Sequence, residues 1–333
     1  MSARIITAAR ASALIYGVAR AGPEGVWLLP ANVCPAVPLA LMQAKRAFVF
    51  VDIDPASLCM DVKLAAQTIG QSSAVAGLIY VRSYGYAPQA ETDLEALRAA
   101  LPRGAVLVDD QCLGTPRTDL ENLDPYGADA VIFSTGYGKV LDLGGGGYGV
   151  FYNDLPYAPP PPLNAKMAQK ADAALTARTK TAMKTGRALF PDPQSETLPR
   201  WISGDAGANW GDYRARINAA LPERLTRRDE INQIYAEGLS NLVGITPMGH
   251  SPHGWRYNLR ATRRDEFLAH IFQSGLFASA HYYPAADLFG GQPCPVTKAL
   301  HGDILNLFND QHFSAEQGRR IVSLARDFYS PAQ

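Results

Sequence analysis

Four short apolar runs separated by helical stretches constrain this chain more than any other feature. Val26–Leu29, Ala47–Val51, Ala74–Val81 and Ala105–Val108 carry no charged side chain, and Ala130–Phe133 repeats the pattern further on. Runs of that length and composition read as strands buried on both faces, as in parallel sheets. The intervening Val37–Ala44, Asp61–Gly70 and Glu91–Leu101 read as helices; in the last, Leu94, Leu97 and Leu101 recur at helical spacing. A helix over Arg10–Ala21, with Ala11, Leu14, Ile15 and Val18 on one face, precedes them, and Gly147–Tyr152 adds another strand. Strands alternating with helices require crossover connections. The expectation is an α/β fold with a mostly parallel sheet flanked by helices.

The second half reads differently. Pro156–Pro162 holds five prolines, a rigid connector into a basic helix over Ala165–Ala188. An apolar stripe of Ile231, Ile234, Tyr235, Leu239 and Leu242 marks a helix over Thr226–Leu242. Beyond it, strand-like Trp255–Leu259 and Ala278–Tyr283 flank a helix over Arg264–Gly275. A last helix over Ser314–Tyr329 opens with Ser314 and Gln317 at capping-box spacing.

At 333 residues the chain has room for about two domains. Hydrophobic residues make up 47% and charged residues 19%, which fits a packed core and excludes disorder. Lys+Arg and Asp+Glu each number 31, so no net field draws the chain to nucleic acid or anionic membrane. Cys34, Cys59, Cys112 and Cys294 lack metal-ligand spacing and are too few for a disulfide scaffold; free thiols in the cytoplasm and no metal are expected. Val26–Ala44 is long and uncharged, but Pro30, Pro35 and Pro38 would break a membrane helix. The first 23 residues lack acid and carry Arg4, Arg10 and Arg20, and Ala11–Ala19 has the length of a secretory core. Ser12, Tyr16 and Gly17 make that stretch weakly apolar, and a folded first helix is the preferred reading.

Chemistry concentrates where strands end. Ala130–Phe133 delivers Ser134-Thr135-Gly136-Tyr137-Gly138-Lys139, followed by Gly144-Gly145-Gly146-Gly147. A lysine with a desolvated amine is a nucleophile that forms Schiff bases with aldehydes; an exposed loop lysine is the commonplace alternative. This is not a P-loop, because no Ser or Thr follows Lys139 and no glycine stands five residues before Gly138. Gly144, Gly146 and Gly149 precede a strand rather than a helix, so they do not form a dinucleotide-binding turn. Upstream, Val106–Val108 runs into Asp109 and Asp110. Parallel sheets bind ligands at the carboxyl ends of their strands, and neighbouring strand residues point to opposite faces. One of the two carboxylates is therefore expected in a pocket; the alternative is an Asp that caps the next turn.

Several segments share their order and spacing with one family. They are Leu29-Pro30-Ala31-Asn32-Val33-Cys34-Pro35-Ala36-Val37, Phe48-Val49-Phe50-Val51-Asp52-Ile53-Asp54-Pro55 with Asp61, and Tyr80-Val81-Arg82-Ser83-Tyr84-Gly85. Val108-Asp109-Asp110-Gln111-Cys112, the Ser134-to-Lys139 spacing, and Asp212-Tyr213-Arg214 followed by Asn218-Ala219-Ala220-Leu221 continue the series. His281-Tyr282-Tyr283-Pro284 and Ile304-Leu305-Asn306-Leu307 near Ser314-Ala315-Glu316-Gln317 complete it. From Arg10 to Tyr329 the chain resembles the DegT/DnrJ/EryC1/StrS group of pyridoxal-phosphate enzymes. These form the sugar aminotransferase-like branch of the aspartate aminotransferase fold, fold type I.

The resemblance implies pyridoxal 5'-phosphate as cofactor. Lys139 is then its Schiff-base partner and afterwards the general base and acid. Asp110 pairs with the pyridine nitrogen, or Asp109 does if the strand is shifted by one. Ser134 and the backbone N–H groups of Ala11 and Ser12 bind the phosphate, and Cys34 lies over the ring where relatives often place an aromatic. Gln111 stands in near the ring hydroxyl, since Leu113 occupies the position where relatives carry Gln or His. Asn209 stands in for an asparagine that reaches the partner subunit's cofactor, since that position is Asp212 here. His281, Tyr282 and Arg82 are candidates for the substrate site. The implied activity moves an amino group from a donor, glutamate by resemblance, to a keto group of a nucleotide-linked sugar, in a homodimer. The alternatives are a related enzyme with a non-sugar acceptor or a dehydratase outcome, and a non-catalytic regulatory member. Family dehydratases carry His where Lys139 stands. The implied division is a large cofactor-binding domain over residues 1–205, then a linking helix and a small α+β domain over 206–333.

Overall fold

The computed structural model of the chain describes residues 2–72, 74–190, 200–204, 207–248 and 254–330. One sheet is built from β1 (Ala3–Ala8), β2 (Val26–Pro30), β3 (Ala47–Val51), β4 (Val75–Val81), β5 (Val106–Asp110), β6 (Ala130–Ser134) and β7 (Gly147–Tyr152). Its order is β1-β7-β6-β5-β4-β2-β3. Strands β2 to β6 are parallel, and β7 runs antiparallel to both β6 and β1. Helices α1 (Ala11–Ala21), α2 (Ala36–Gln43), α3 (Val62–Gly70) and α4 (Ala90–Ala100) connect and cover it. The expected mostly parallel α/β sheet is thus present.

Alternation along the strands divides the core into two layers. Val106 and Val108 of β5, with Ala130 and Ile132 of β6, pack on the side of Leu14 and Val18 of α1 and Leu41 of α2. Leu107, Val131 and Phe133 pack on the opposite side, with Ala65 and Ile69 of α3 and Leu94 and Leu97 of α4. Strands β4 and β5 are buried throughout, which is why their sequences show no polar alternation. The sequence reading assigns no element to residues 3–8. They form an edge strand, paired residue by residue with Tyr152–Gly147 and half-exposed. A strand made by pairing rather than by burial carries little apolar signal of its own.

Past the proline-rich connector, α5 (Ala165–Thr185) buries only Leu175 and Ala182. Helix α6 (Trp210–Leu239) is 30 residues long and contains Pro222. It begins well before the expected Thr226, because Pro222 reads as a boundary when tertiary packing is unknown. The second sheet comprises β8 (Ile245–Pro247), β9 (Tyr257–Ala261), β10 (Ala278–Ser279) and β11 (Ile304–Leu307), antiparallel in the order β10-β11-β9-β8. Around it lie α7 (Arg264–Gln273), α8 (Ala285–Phe289), α9 (Pro295–Asp303) and α10 (Ala315–Tyr329). Ile231, Tyr235 and Leu239 of α6 share its core with Ile321, Val322 and Ala325 of α10. The Ser314–Gln317 capping box is formed. The expected strand over Ala278–Tyr283 shortens to β10. The expected boundary at 205–206 lies outside the described residues.

The two sheets are tied together at Asp52, just after β3. Its carboxylate accepts hydrogen bonds from Val296 N (2.8 Å), Thr297 N (2.9 Å) and Thr297 Oγ1 (2.7 Å), capping the start of α9. All four cysteines are free thiols. Among the described residues no helix is long and apolar enough to cross a membrane.

Candidate active site

A cavity of about 500 Å³ opens at the carboxyl ends of β5 and β6, against the start of α1. Its position follows from strand alternation. Asp110 continues the Val106–Val108 face and Ser134 continues the Ala130–Ile132 face, so both end on the α1 side and line the cavity. Asp109 is one residue out of phase and points into the other layer. There it accepts two hydrogen bonds from Arg82, Nε at 3.0 Å and Nη2 at 2.7 Å, and one from Gln111 Nε2 at 2.7 Å.

This geometry corrects two expectations. Arg82 does not line the cavity; its guanidinium is committed to Asp109 on the far side of the sheet. Gln111 does not line it either, because its amide is bonded to the same carboxylate. Of the two open alternatives for the strand-end carboxylate, Asp110 is the one at the cavity. Asp110 Oδ1 accepts from Cys112 N at 2.9 Å. Burial pushes the Asp110 carboxyl up, opposed by its bonds to Cys112 and by the charge of Lys139.

The loop after β6 is held from within. Asp142, itself buried, accepts from Gly138 N (3.2 Å) through one oxygen and from Gly144 N (2.7 Å) through the other. Gly138 adopts φ +70°, a left-handed conformation that favours glycine. Lys139 is half-buried and lines the cavity. Gly146, at φ +101°, passes so close to the Tyr213 hydroxyl of α6 that a Cβ there would collide with it. Tyr213 in turn bonds Thr135 Oγ1, so α6 pins the glycine run against the strand end.

The N-terminus of α1 supplies the remaining wall. Arg10 is its N-cap and makes no capping side-chain bond, and no acid stands in the first turn. Its first intrahelical bond is Ala13 N to Arg10 O, so the N–H groups of Ala11 and Ser12 have no acceptor within the helix; that of Ala11 faces Gly146, which bridges Arg10. Ala11 and Ser12 line the cavity together with Ser134, whose Oγ accepts from Gly136 N at 3.3 Å. Cys34 and Tyr282 also line it, whereas His281 and Asn209 do not. Asn209 is exposed and caps α6 through Gly211 N at 2.8 Å. His281 packs edge-on against Trp255 at 5.5 Å. Burial, with the charges of Arg256 and Lys139, pushes its imidazole down to about 4.

The sequence reading missed several lining residues. Arg10 of the α1 N-cap meets Asp172 of α5 at 3.3 Å, and Tyr137, Cys112, Leu113 and Trp201 complete the wall. The loop position of Tyr137 beside Lys139 was a usable signal. Asp172 and Trp201 come from segments with no sequence link to the sheet.

No protein-family model and no curated protein matches the sequence. Solved structures do match. A DegT DnrJ EryC1 StrS aminotransferase from Brucella abortus aligns over 98% of this chain and 86% of its own, with 20% identity and TM-score 0.67. Spr1654 from Streptococcus pneumoniae, in its PMP form, aligns over 97% and 87% with 18% identity and TM-score 0.70. DesI, in the presence of its TDP-sugar product, aligns over 98% and 81% with 22% identity and TM-score 0.70. The chain has the fold of these aminotransferases. In this fold-type-I frame the cavity occupies the carboxyl ends of the parallel strands, where open α/β sheets bind ligands.

Proposed function

We propose that the chain is a pyridoxal-phosphate-dependent aminotransferase of the DegT/DnrJ/EryC1/StrS kind, acting as a homodimer. One observation carries the reading: a lysine, a buried carboxylate and a helix N-terminus free of side-chain caps and acids line the same cavity. Those groups fit the three polar ends of the cofactor. A carboxyl pushed up by burial is stabilised by a cationic ring nitrogen. The start of α1 at Ala11 and Ser12, with Ser134, suits a phosphate. A half-buried lysine amine suits an aldehyde. The PMP form of the Streptococcus pneumoniae structure supports the same cofactor.

When bound, pyridoxal phosphate supplies an aldehyde that condenses with amines and a ring that accepts electron density. Asp110 holds a proton on the ring nitrogen. Ser134 and the start of α1 hold the phosphate and fix the ring's orientation. Lys139 Nζ takes the proton from Cα of the amino donor and, in the reverse sense, returns one to the acceptor carbon. Tyr282 and Cys34 bound the cavity on its apolar side. His281, near but not lining it, stays neutral at physiological pH and is available as a hydrogen-bonding group for the acceptor.

The donor is proposed as glutamate and the acceptor as a keto group on a nucleotide-linked sugar; DesI, whose product is a TDP-sugar, supports the second choice. The test is spectroscopic. Protein loaded with pyridoxal phosphate is expected to show an absorbance band that the Lys139→Ala variant lacks. Glutamate is expected to bleach it while releasing one equivalent of 2-oxoglutarate. A panel of keto-sugars and simpler ketones then reads which acceptor restores the band. Loading without any change on adding amino donors would remove the aminotransferase assignment.

A further inference from the structure

We infer that Arg228 and Trp255 are positioning residues for Lys139: buried side chains that fix the backbone from which the lysine projects. The inference rests on the reading of the cavity as a pyridoxal-phosphate site and extends it to groups that do not line the cavity. Three consecutive carbonyls of the lysine loop are occupied by these two side chains. Gly138 O accepts from Trp255 Nε1 at 2.6 Å. Lys139 O accepts from Arg228 Nη2 at 2.8 Å, and Val140 O from Arg228 Nε at 3.0 Å. Arg228 comes from α6 and Trp255 from the segment before β9, so the second half of the chain grips the first at the lysine itself. Carbonyls held on both sides of a Cα leave the direction of its side chain little freedom.

Both grips are themselves fixed. Arg228 is 2% exposed, and its Nη1 donates to Asn309 Oδ1. Asn309 Nδ2 donates to Asn232 Oδ1 at 2.8 Å. Burial pushes the Arg228 guanidinium down to about 10, so its charge is held there against a desolvation cost. A neutral side chain of similar length would fill the space without that cost, but it would hold neither carbonyl. Trp255 is stacked on Tyr282, with ring centroids 6.0 Å apart and planes at 9°, and the Arg256 guanidinium lies 5.0 Å from its ring.

Capture of the cofactor aldehyde is an addition of Nζ to the carbonyl carbon, in which C=N replaces C=O and one water leaves. Its rate and equilibrium depend on how much of the time Nζ faces that carbon. Pyridoxamine phosphate carries an amine in place of the aldehyde and forms no bond with Nζ, so its affinity reports the phosphate and ring contacts alone. Comparing the two cofactors isolates the lysine.

The full chain, stripped of cofactor, is titrated with each cofactor as wild type and as Trp255→Phe, Arg228→Met and Arg228→Lys. Borohydride reduction and peptide mapping locate the captured lysine. Trp255→Phe keeps an aromatic ring against Tyr282 but loses the indole N–H and part of the stacked surface, and the pyridoxamine-phosphate affinity reads any general disturbance of the cavity wall that this causes. The expected result in Trp255→Phe and Arg228→Met is at least a roughly tenfold loss in pyridoxal-phosphate affinity and capture rate. Pyridoxamine-phosphate affinity stays within about twofold. Arg228→Lys, which restores one donor, recovers part of the loss. Equal losses for both cofactors, or none for either, overturn the positioning role. A wild type that binds neither cofactor instead overturns the reading of the cavity, and the positioning role with it. If Arg228→Met does not fold, Trp255→Phe decides alone.

Discussion

Asp109 and Asp110 are adjacent, both buried, and face opposite layers of the core. Their substitutions therefore act on different observables. Asp110→Ala is expected to weaken pyridoxal-phosphate binding and to slow the half-reaction with glutamate by about a hundredfold or more, with little change in unfolding. Asp109→Ala breaks the pairing with Arg82, whose side chain is 24% exposed, and leaves that guanidinium without its acceptor. Removing one partner of a buried pair costs about 3–5 kcal/mol, lessened here by the partial exposure of Arg82. Denaturant unfolding should register that loss while the cofactor spectrum remains. Swapped outcomes would mean that Asp109, not Asp110, meets the ring. His281 gives a pH test. Its imidazole is held down to about 4 in the folded chain, against an ordinary value near 6.5. Between those values the unfolded chain binds more protons, so stability falls as pH drops through the window, by about 3 kcal/mol at most. Comparing wild type with His281→Gln between pH 7 and 4.5 should show a shallower acid loss in the variant; parallel curves would rule out the buried neutral imidazole.

At the scale of elements, the cap that Asp52 places on α9 joins the two sheets. Asp52→Ala removes three hydrogen bonds from the helix start and leaves Thr297, 1% exposed, without its acceptor. A loss of about 1–2 kcal/mol is expected, the range of a helix cap, measured as a shift in the denaturation midpoint. An unchanged midpoint would show that α9 is held by packing alone. The same contact explains what could be read beforehand. Strands β3 and β7 were legible to the residue, because their apolar runs are long enough to stand out. The role of Asp52 was not, because its partners lie 244 and 245 residues away. Among the cavity residues, Lys139 and one carboxylate of the Asp109–Asp110 pair were legible from strand-end position, whereas the choice of Asp110, Ser134 and the start of α1 came from the family resemblance. Arg82 and Gln111 were misassigned because neither their neighbours in sequence nor their charge tells which layer a side chain enters. Arg228 and Trp255 gave no local signal at all, since what they bond is the backbone of a distant loop.

The whole molecule leaves one face of the cavity open in a way that bears on assembly. Tyr137 lines the cavity yet is 81% exposed, and Asn209 and Asp212 at the start of α6 are exposed as well. Large exposed aromatics beside a binding site fit a surface that a second copy covers. In the proposed homodimer the segment around Asn209 and Arg214 reaches the partner's site, so no single chain holds a complete one. Complementation tests this directly. Lys139→Ala chains are mixed with chains altered at Asn209 and Arg214, each confirmed inactive alone and each shown to bind pyridoxal phosphate or its amine form. A two-fold dimer of unlike chains rebuilds one intact site and one doubly defective site. With random exchange half the dimers are mixed and half of their sites are intact, so about a quarter of wild-type activity should return. The wild-type net charge of zero raises no general repulsion against such exchange. Recovery near that level would place the segment in the partner's site. Proven exchange with no recovery would confine each site to one chain and leave Asn209 as the cap of α6 alone.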